Sequence, residues 1–130
     1  MEKMSEKKRF SVVARIRSAN HAFRGLRIFI KTCHNAWGYL FFTALAIYLG
    51  IILSISSVEW ILLILTIGFV FFAEIINTAI EIDMDLTSPN YHPYARDTKD
   101  VGAGATVFVV IISWIVGLII FLPKILLLLK

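Results

Sequence analysis

Residues Trp60–Ile82 read WILLILTIGFVFFAEIINTAIEI. A predominantly apolar run of this length, with no alternation of polar and apolar positions, predicts a helix rather than a strand. It is also long enough to cross a hydrocarbon core of ~30 Å, which takes about 20 residues. Two further runs flank it. Ala36–Ile55, AWGYLFFTALAIYLGIILSI, lies in a stretch without Asp, Glu, Lys or Arg from Thr32 to Val58. Val101–Leu122, VGAGATVFVVIISWIVGLIIFL, is uncharged throughout. Lipid offers the backbone no water to bond with, so all three are expected to be helices.

Composition agrees. The chain has 130 residues, 58% of them apolar and 17% charged, with a mean hydropathy of +0.80. A soluble domain carries about 25% charged residues. A soluble all-α fold is therefore excluded: three such runs leave too little polar sequence to cover a core. A cleaved signal peptide fits no better, because residues 1–31 are polar and basic and the first apolar run starts late and is long. The expected fold is an all-α membrane protein, one domain over residues 1–130. Residues 1–31 are predicted as a surface helix and 34–56, 60–83 and 94–122 as the three spanning helices.

Orientation follows from Lys and Arg. Nine of the 13 lie in residues 1–31: Lys3, Lys7, Lys8, Arg9, Arg15, Arg17, Arg24, Arg27 and Lys31. Only Glu2 and Glu6 oppose them. The first interspan loop has none, the second has Arg96 and Lys99, and the far end has Lys124 and Lys130. The positive-inside rule puts the N-terminus and second loop in the cytoplasm and the C-terminus outside. Val12, Ile16, Ala19, Phe23, Leu26 and Ile30 recur at helical spacing between arginines, the pattern of a basic amphipathic helix lying on anionic headgroups. That placement argues against nucleic acid as a partner. The single cysteine, Cys33, excludes an internal disulfide and a four-cysteine zinc site.

The chemistry is expected in the second span. Glu74, Asn77, Thr78, Glu81 and Asp85 fall within about 60° of one helical direction at 100° per residue. Ionisable groups inside a span face a bundle interior or a wet cavity. At 1.5 Å per residue from Trp60, Glu74 lies about 21 Å along the helix, in the inner leaflet, and Glu81 lies about 10 Å further, near the cytoplasmic headgroups. After the turn-forming TSPNYHP, Pro93 is placed to start the third helix, where Arg96, Lys99, Asp100 and Ala103 share a face. Gly102–Ala105 are small enough for another helix to approach closely. Carboxylates beside a lysine suit Mg²⁺ and phosphate, and a carboxylate buried in the inner leaflet suits a general base. Phosphoryl transfer to a membrane alcohol fits this set, although no Walker or kinase glycine-rich loop occurs. On residues alone, a small proton or cation transporter using Glu74 and Glu81 competes.

Residues 73–105, AEIINTAIEIDMDLTSPNYHPYARDTKDVGAGA, resemble the signature of the small bacterial membrane diacylglycerol kinase and undecaprenol kinase family. Residues 22–32, AFRGLRIFIKT, resemble that family's junction between surface helix and first span. Span number, order and orientation agree too, so the resemblance covers nearly the whole chain. It implies a homotrimer in the bacterial inner membrane that phosphorylates a lipid alcohol, undecaprenol or diacylglycerol, with MgATP at sites between protomers. It implies Glu74 as catalytic base with Asn77 as its polar partner, and Glu81 as a metal ligand at the nucleotide, which Asp85 also adjoins. Asn90, Tyr91 and His92 match the nucleotide-side loop, and Lys99 and Asp100 the phosphate- and nucleotide-contacting pair. Two positions depart from the pattern. The family's second metal-binding glutamate is Cys33 here, in Thr32-Cys33-His34-Asn35, and a thiol is a poor Mg²⁺ ligand. An aromatic position used at the nucleotide is His21. Cys33 thereby motivates a second reading, a lipid-binding member with lost catalysis.

Overall fold

The computed structural model describes residues 12–33 and 35–129. Lys3, Lys7, Lys8, Arg9, Glu2, Glu6, His34 and Lys130 lie outside the described residues. The described chain folds into four helices: α1 Val12–Thr32, α2 Ala36–Ile52, α3 Ser57–Thr87 and α4 Pro93–Leu128.

Local chemistry explains where the bounds differ from the apolar runs. α2 stops at Ile52, short of the expected 56. Leu53 N–H bonds Leu49 O, Ser54 N–H bonds Ile51 O, and Ile55 N–H bonds Gly50 O. This is the Schellman ending, with Ser54 at φ 47° in the left-handed position usually held by glycine. α3 starts at residue 57 rather than 60 because Ser56 and Glu59 form a reciprocal capping box. The Ser56 N–H donates to Glu59 Oε2 at 2.7 Å, and the Glu59 N–H donates to Ser56 Oγ at 3.3 Å. α3 then runs to Thr87 and stops before Pro89, which disfavours helical backbone at Ser88. Pro93 opens α4 as expected. α4 continues past Pro123 to Leu128, beyond the expected 122, and Lys124 Nζ lies 3.2 Å from Glu59 Oε2. That ion pair holds the two helix ends at one level.

α3 and α4 form the principal antiparallel pair; α2 lies more loosely against both, and α1 touches α3. The largest apolar cluster, Ile55, Leu63, Ile120 and Phe121 with Trp60 packed on it, sits at the α2–α3 turn. Gly50 permits this, since a Cβ there would meet the Trp60 ring at 2.8 Å. Elsewhere Phe41, Ile64, Phe72, Phe108 and Ile119 are more than half exposed. Lipid accepts such a surface and water does not. α3 and α4 are each long and apolar enough to cross a membrane; α2 reaches that mark taken together with α1, from which it turns by 102°. This is a membrane protein.

Within α1 the predicted stripe stays open: Val12, Ile16, Phe23, Leu26 and Ile30 are exposed, and Phe29 is the buried residue. Of the small run 102–105, only Gly102 is buried. A Cβ on Gly102 would come within 2.5 Å of Asn77 Oδ1, whereas Gly104 faces open space. The close approach of α3 and α4 therefore rests on one glycine.

Candidate active site

The polar stripe of α3 passes from buried to exposed along its length. Glu74, Asn77 and Thr78 are buried, at 6%, 8% and 4% exposure; Glu81 is half-buried and Asp85 exposed. A carboxylate that deep in an apolar helix needs partners, and it takes them from the start of α2 and the break before it. Tyr39 donates its phenol hydrogen bond to Glu74 Oε1. The Cys33 thiol lies 3.7 Å from Glu74 Oε2. Cys33 thus sits on Glu74.

Tyr39 escapes sequence reasoning. Its partner is 35 residues away, so no local spacing records the contact, and a tyrosine near a span's end is ordinarily an interfacial anchor. Its ring meets Phe71 edge-on, with centroids 6.5 Å apart.

One turn beyond Glu74, Asn77 Nδ2 donates to Glu81 Oε1 at 3.1 Å. Asn77 Oδ1 and Thr106 Oγ1, both buried, accept or make no hydrogen bond among the described residues. Further on, Lys99 Nζ donates to Asp85 Oδ1 at 2.5 Å, joining α4 to α3. That hydrogen bond raises the pKa of the Lys99 ammonium above its ordinary value and keeps it charged. Asp100 pairs with Arg96 at 3.6 Å. Lys99 and Asp100, adjacent on α4 and pointing about 100° apart, have separate ion-pair partners.

A cavity of about 300 Å³ opens beyond this point. Asp85, Asn90, Tyr91, His92, Lys99 and Asp100 line it, and so does Arg96, which spacing placed on the right face without a role. Glu74 lies 11 residues before Asp85, about 16 Å along α3, with Glu81 between them. A second, apolar cavity of about 390 Å³ runs between α2, α3 and α4, walled by Phe42, Val70, Trp114 and Phe121, with Tyr39 among its lining residues. His21 is exposed on α1. Among the described residues, no three His, Cys, Asp or Glu side chains come together as a metal cluster. The carboxylates lining the first cavity are Asp85 and Asp100, and Glu81 lies one turn before Asp85 on α3. One or two carboxylates completed by phosphate and water are what Mg²⁺ ordinarily takes, so these residues fit that ion and Cys33 does not.

Comparison with known proteins adds to this geometry. The sequence profile of the family described as prokaryotic diacylglycerol kinase matches residues 20–121. The chain is similar to the undecaprenol kinase of Bacillus subtilis, 38% identical over 80% of this chain and 85% of that protein. It is 32% identical to a diacylglycerol kinase of Synechocystis over 84% of this chain and 63% of that protein. It is 27% identical to the diacylglycerol kinase of Escherichia coli over 75% of this chain and 80% of that protein.

Proposed function

We propose a reaction for this chain, which belongs to the prokaryotic diacylglycerol kinase family and is a membrane lipid kinase: transfer of the γ-phosphoryl group of ATP to a lipid alcohol at the cytoplasmic face. The observation that carries it is Glu74, a buried carboxylate held by a second helix at the head of a polar stripe that leads to a lysine-bearing cavity. Glu74 takes the proton of the lipid hydroxyl. The alcohol oxygen forms a bond to the γ-phosphorus, the bond from that phosphorus to the β–γ bridging oxygen breaks, and ADP leaves. Asn77 holds Glu81 in place. Lys99 and Asp100, with Asn90, Tyr91 and His92, bind the nucleotide, and Asp85 sets the position of Lys99. Glu81 is the residue to hold Mg²⁺, which when bound neutralises phosphate charge.

Undecaprenol is the acceptor we favour over diacylglycerol. The run His92-Pro93 and Asp100–Ala105 supports it, as does the higher identity to the Bacillus subtilis protein. The whole chain works as one unit in the bacterial inner membrane, N-terminus inside and C-terminus outside, as a homotrimer. α1 lies on the headgroups, its open stripe of Ile16, Phe23 and Ile30 toward lipid.

Labelled ATP with a panel of lipid alcohols in mixed micelles tests the proposal. It expects Mg²⁺-dependent transfer of label to an extractable lipid. Glu74→Gln abolishes turnover with nucleotide binding kept; Glu81→Gln weakens MgATP binding. No labelled lipid from folded protein, across diacylglycerol, undecaprenol and shorter prenols, favours the second reading that Cys33 motivates, a lipid-binding member without catalysis. An ion gradient dissipated without nucleotide favours a transporter instead.

A further inference from the structure

The geometry points to Tyr39 as a positioning residue for the Glu74 carboxylate: it pins Oε1 from the neighbouring helix and leaves Oε2 to the lipid alcohol. The inference rests on the reading of Glu74 as the base. A glutamate has three side-chain torsions and loses much freedom when fixed, yet proton transfer needs the acceptor oxygen within hydrogen-bond reach of the hydroxyl. In the apolar surroundings of Glu74 there is no bulk water to hold the carboxylate, so a protein donor must do it.

Tyr39 is built for that task. It lies in the first turns of α2, where Ala36 is 1% exposed and packed and where the Tyr39 N–H bonds Asn35 O. Its ring is braced edge-on by Phe71, three residues before Glu74 on α3. The hydroxyl therefore has little freedom, and the oxygen it holds inherits that order. Among the described residues, the hydrogen-bonding neighbour of the other oxygen is the Cys33 thiol, at 3.7 Å. A thiol is a weak donor, so an alcohol displaces it at small cost. The two oxygens are thus unequal: one is fixed by a strong donor, the other open to exchange. The same tyrosine lines the apolar cavity between α2, α3 and α4.

Tyr39→Phe removes the hydroxyl and keeps the ring. It is expected to lower kcat roughly 10- to 100-fold, the worth of one hydrogen bond to a charged group, with KM for ATP and for the lipid unchanged. Tyr48→Phe, the same chemical change on an exposed face of α2, leaves kcat at the wild-type value. Infrared spectroscopy gives a readout independent of turnover: the carboxylate band assigned to Glu74 by its loss in Glu74→Gln shifts in Tyr39→Phe. Should Tyr39→Phe not fold, 3-fluorotyrosine at 39, nearly the same size and a different donor, is expected to shift that band. Wild-type kcat in Tyr39→Phe, an effect on KM alone, or an unmoved band overturns the inference. If Glu74→Gln keeps turnover while the band still moves in Tyr39→Phe, the base assignment has failed and the contact has not.

Discussion

Replacing Cys33 by glutamate tests the position where the family resemblance implies a metal-binding carboxylate. The Cys33 sulfur is 3.7 Å from Glu74 Oε2, and burial raises the pKa of its thiol above the ordinary value, which keeps it uncharged at neutral pH. Cys33→Glu puts a second carboxylate at about that separation. Two like charges ~4 Å apart repel by about 4 kcal/mol at an effective dielectric constant of 20. That is a large part of a stability of about 5–15 kcal/mol. A divalent cation between the carboxylates offsets it. Mg²⁺ at 100 times its dissociation constant contributes about 2.7 kcal/mol to the folded state, most of the repulsion.

The expected result is therefore a protein destabilised without Mg²⁺ and largely restored by it. Its turnover should rise with Mg²⁺ more steeply than that of the wild type, because a hard oxygen donor replaces sulfur. The assay is thermal unfolding in detergent over a Mg²⁺ titration, with phosphoryl transfer followed in parallel. A stable mutant with the wild-type Mg²⁺ dependence refutes the reasoning: residue 33 then reaches neither Glu74 nor the metal. A mutant destabilised alike at every Mg²⁺ concentration keeps the contact with Glu74 and removes residue 33 from the metal site.

Gly102→Ala drives a methyl group into Asn77 Oδ1 and should turn the side chain that holds Glu81; MgATP affinity measured by calorimetry falls while the protein stays folded. Ser54→Gly relieves a left-handed backbone position and should stabilise by about 1 kcal/mol, read as a higher unfolding midpoint; a lower midpoint means the serine side chain contributes there. Lys99→Ala removes an ion pair whose Asp85 partner is 70% exposed, so stability should change by less than about 1 kcal/mol while ATP affinity drops steeply. Equal losses of both would assign Lys99 to the fold rather than to the phosphates.

What the sequence disclosed depended on whether a signal was local. Glu74, Asn77, Glu81 and Asp85 repeat at helical spacing on an apolar background, so one helix displays the whole stripe and periodicity finds it. Pro93 announces the start of α4 for the same reason. The helix ends were harder to place because hydropathy records lipid contact, not hydrogen bonding. The Ser56–Glu59 box extends α3 into polar sequence, and a Schellman turn through Ser54 shortens α2 inside an apolar run. Adjacency says nothing of the ion pairs of Lys99 and Asp100, whose partners, Asp85 and Arg96, lie 14 and four residues away.

Contacts between helices left no trace in spacing at all, and the site's least expected feature is one of these. Viewed along the chain, Cys33 is a position where the resemblance implies a carboxylate and Tyr39 is an aromatic residue near the end of a span. Viewed across α2 and α3, both face Glu74, one on each oxygen. Neither brings a formal charge, so no like charge lies beside the buried carboxylate. A glutamate at 33 without a bound cation would set two carboxylates against each other in the same apolar surroundings. A neutral residue at 33 is thus physically consistent with a carboxylate held by neutral donors, and the number of cations the chain needs at its site becomes a question about residue 33 and not about Glu74.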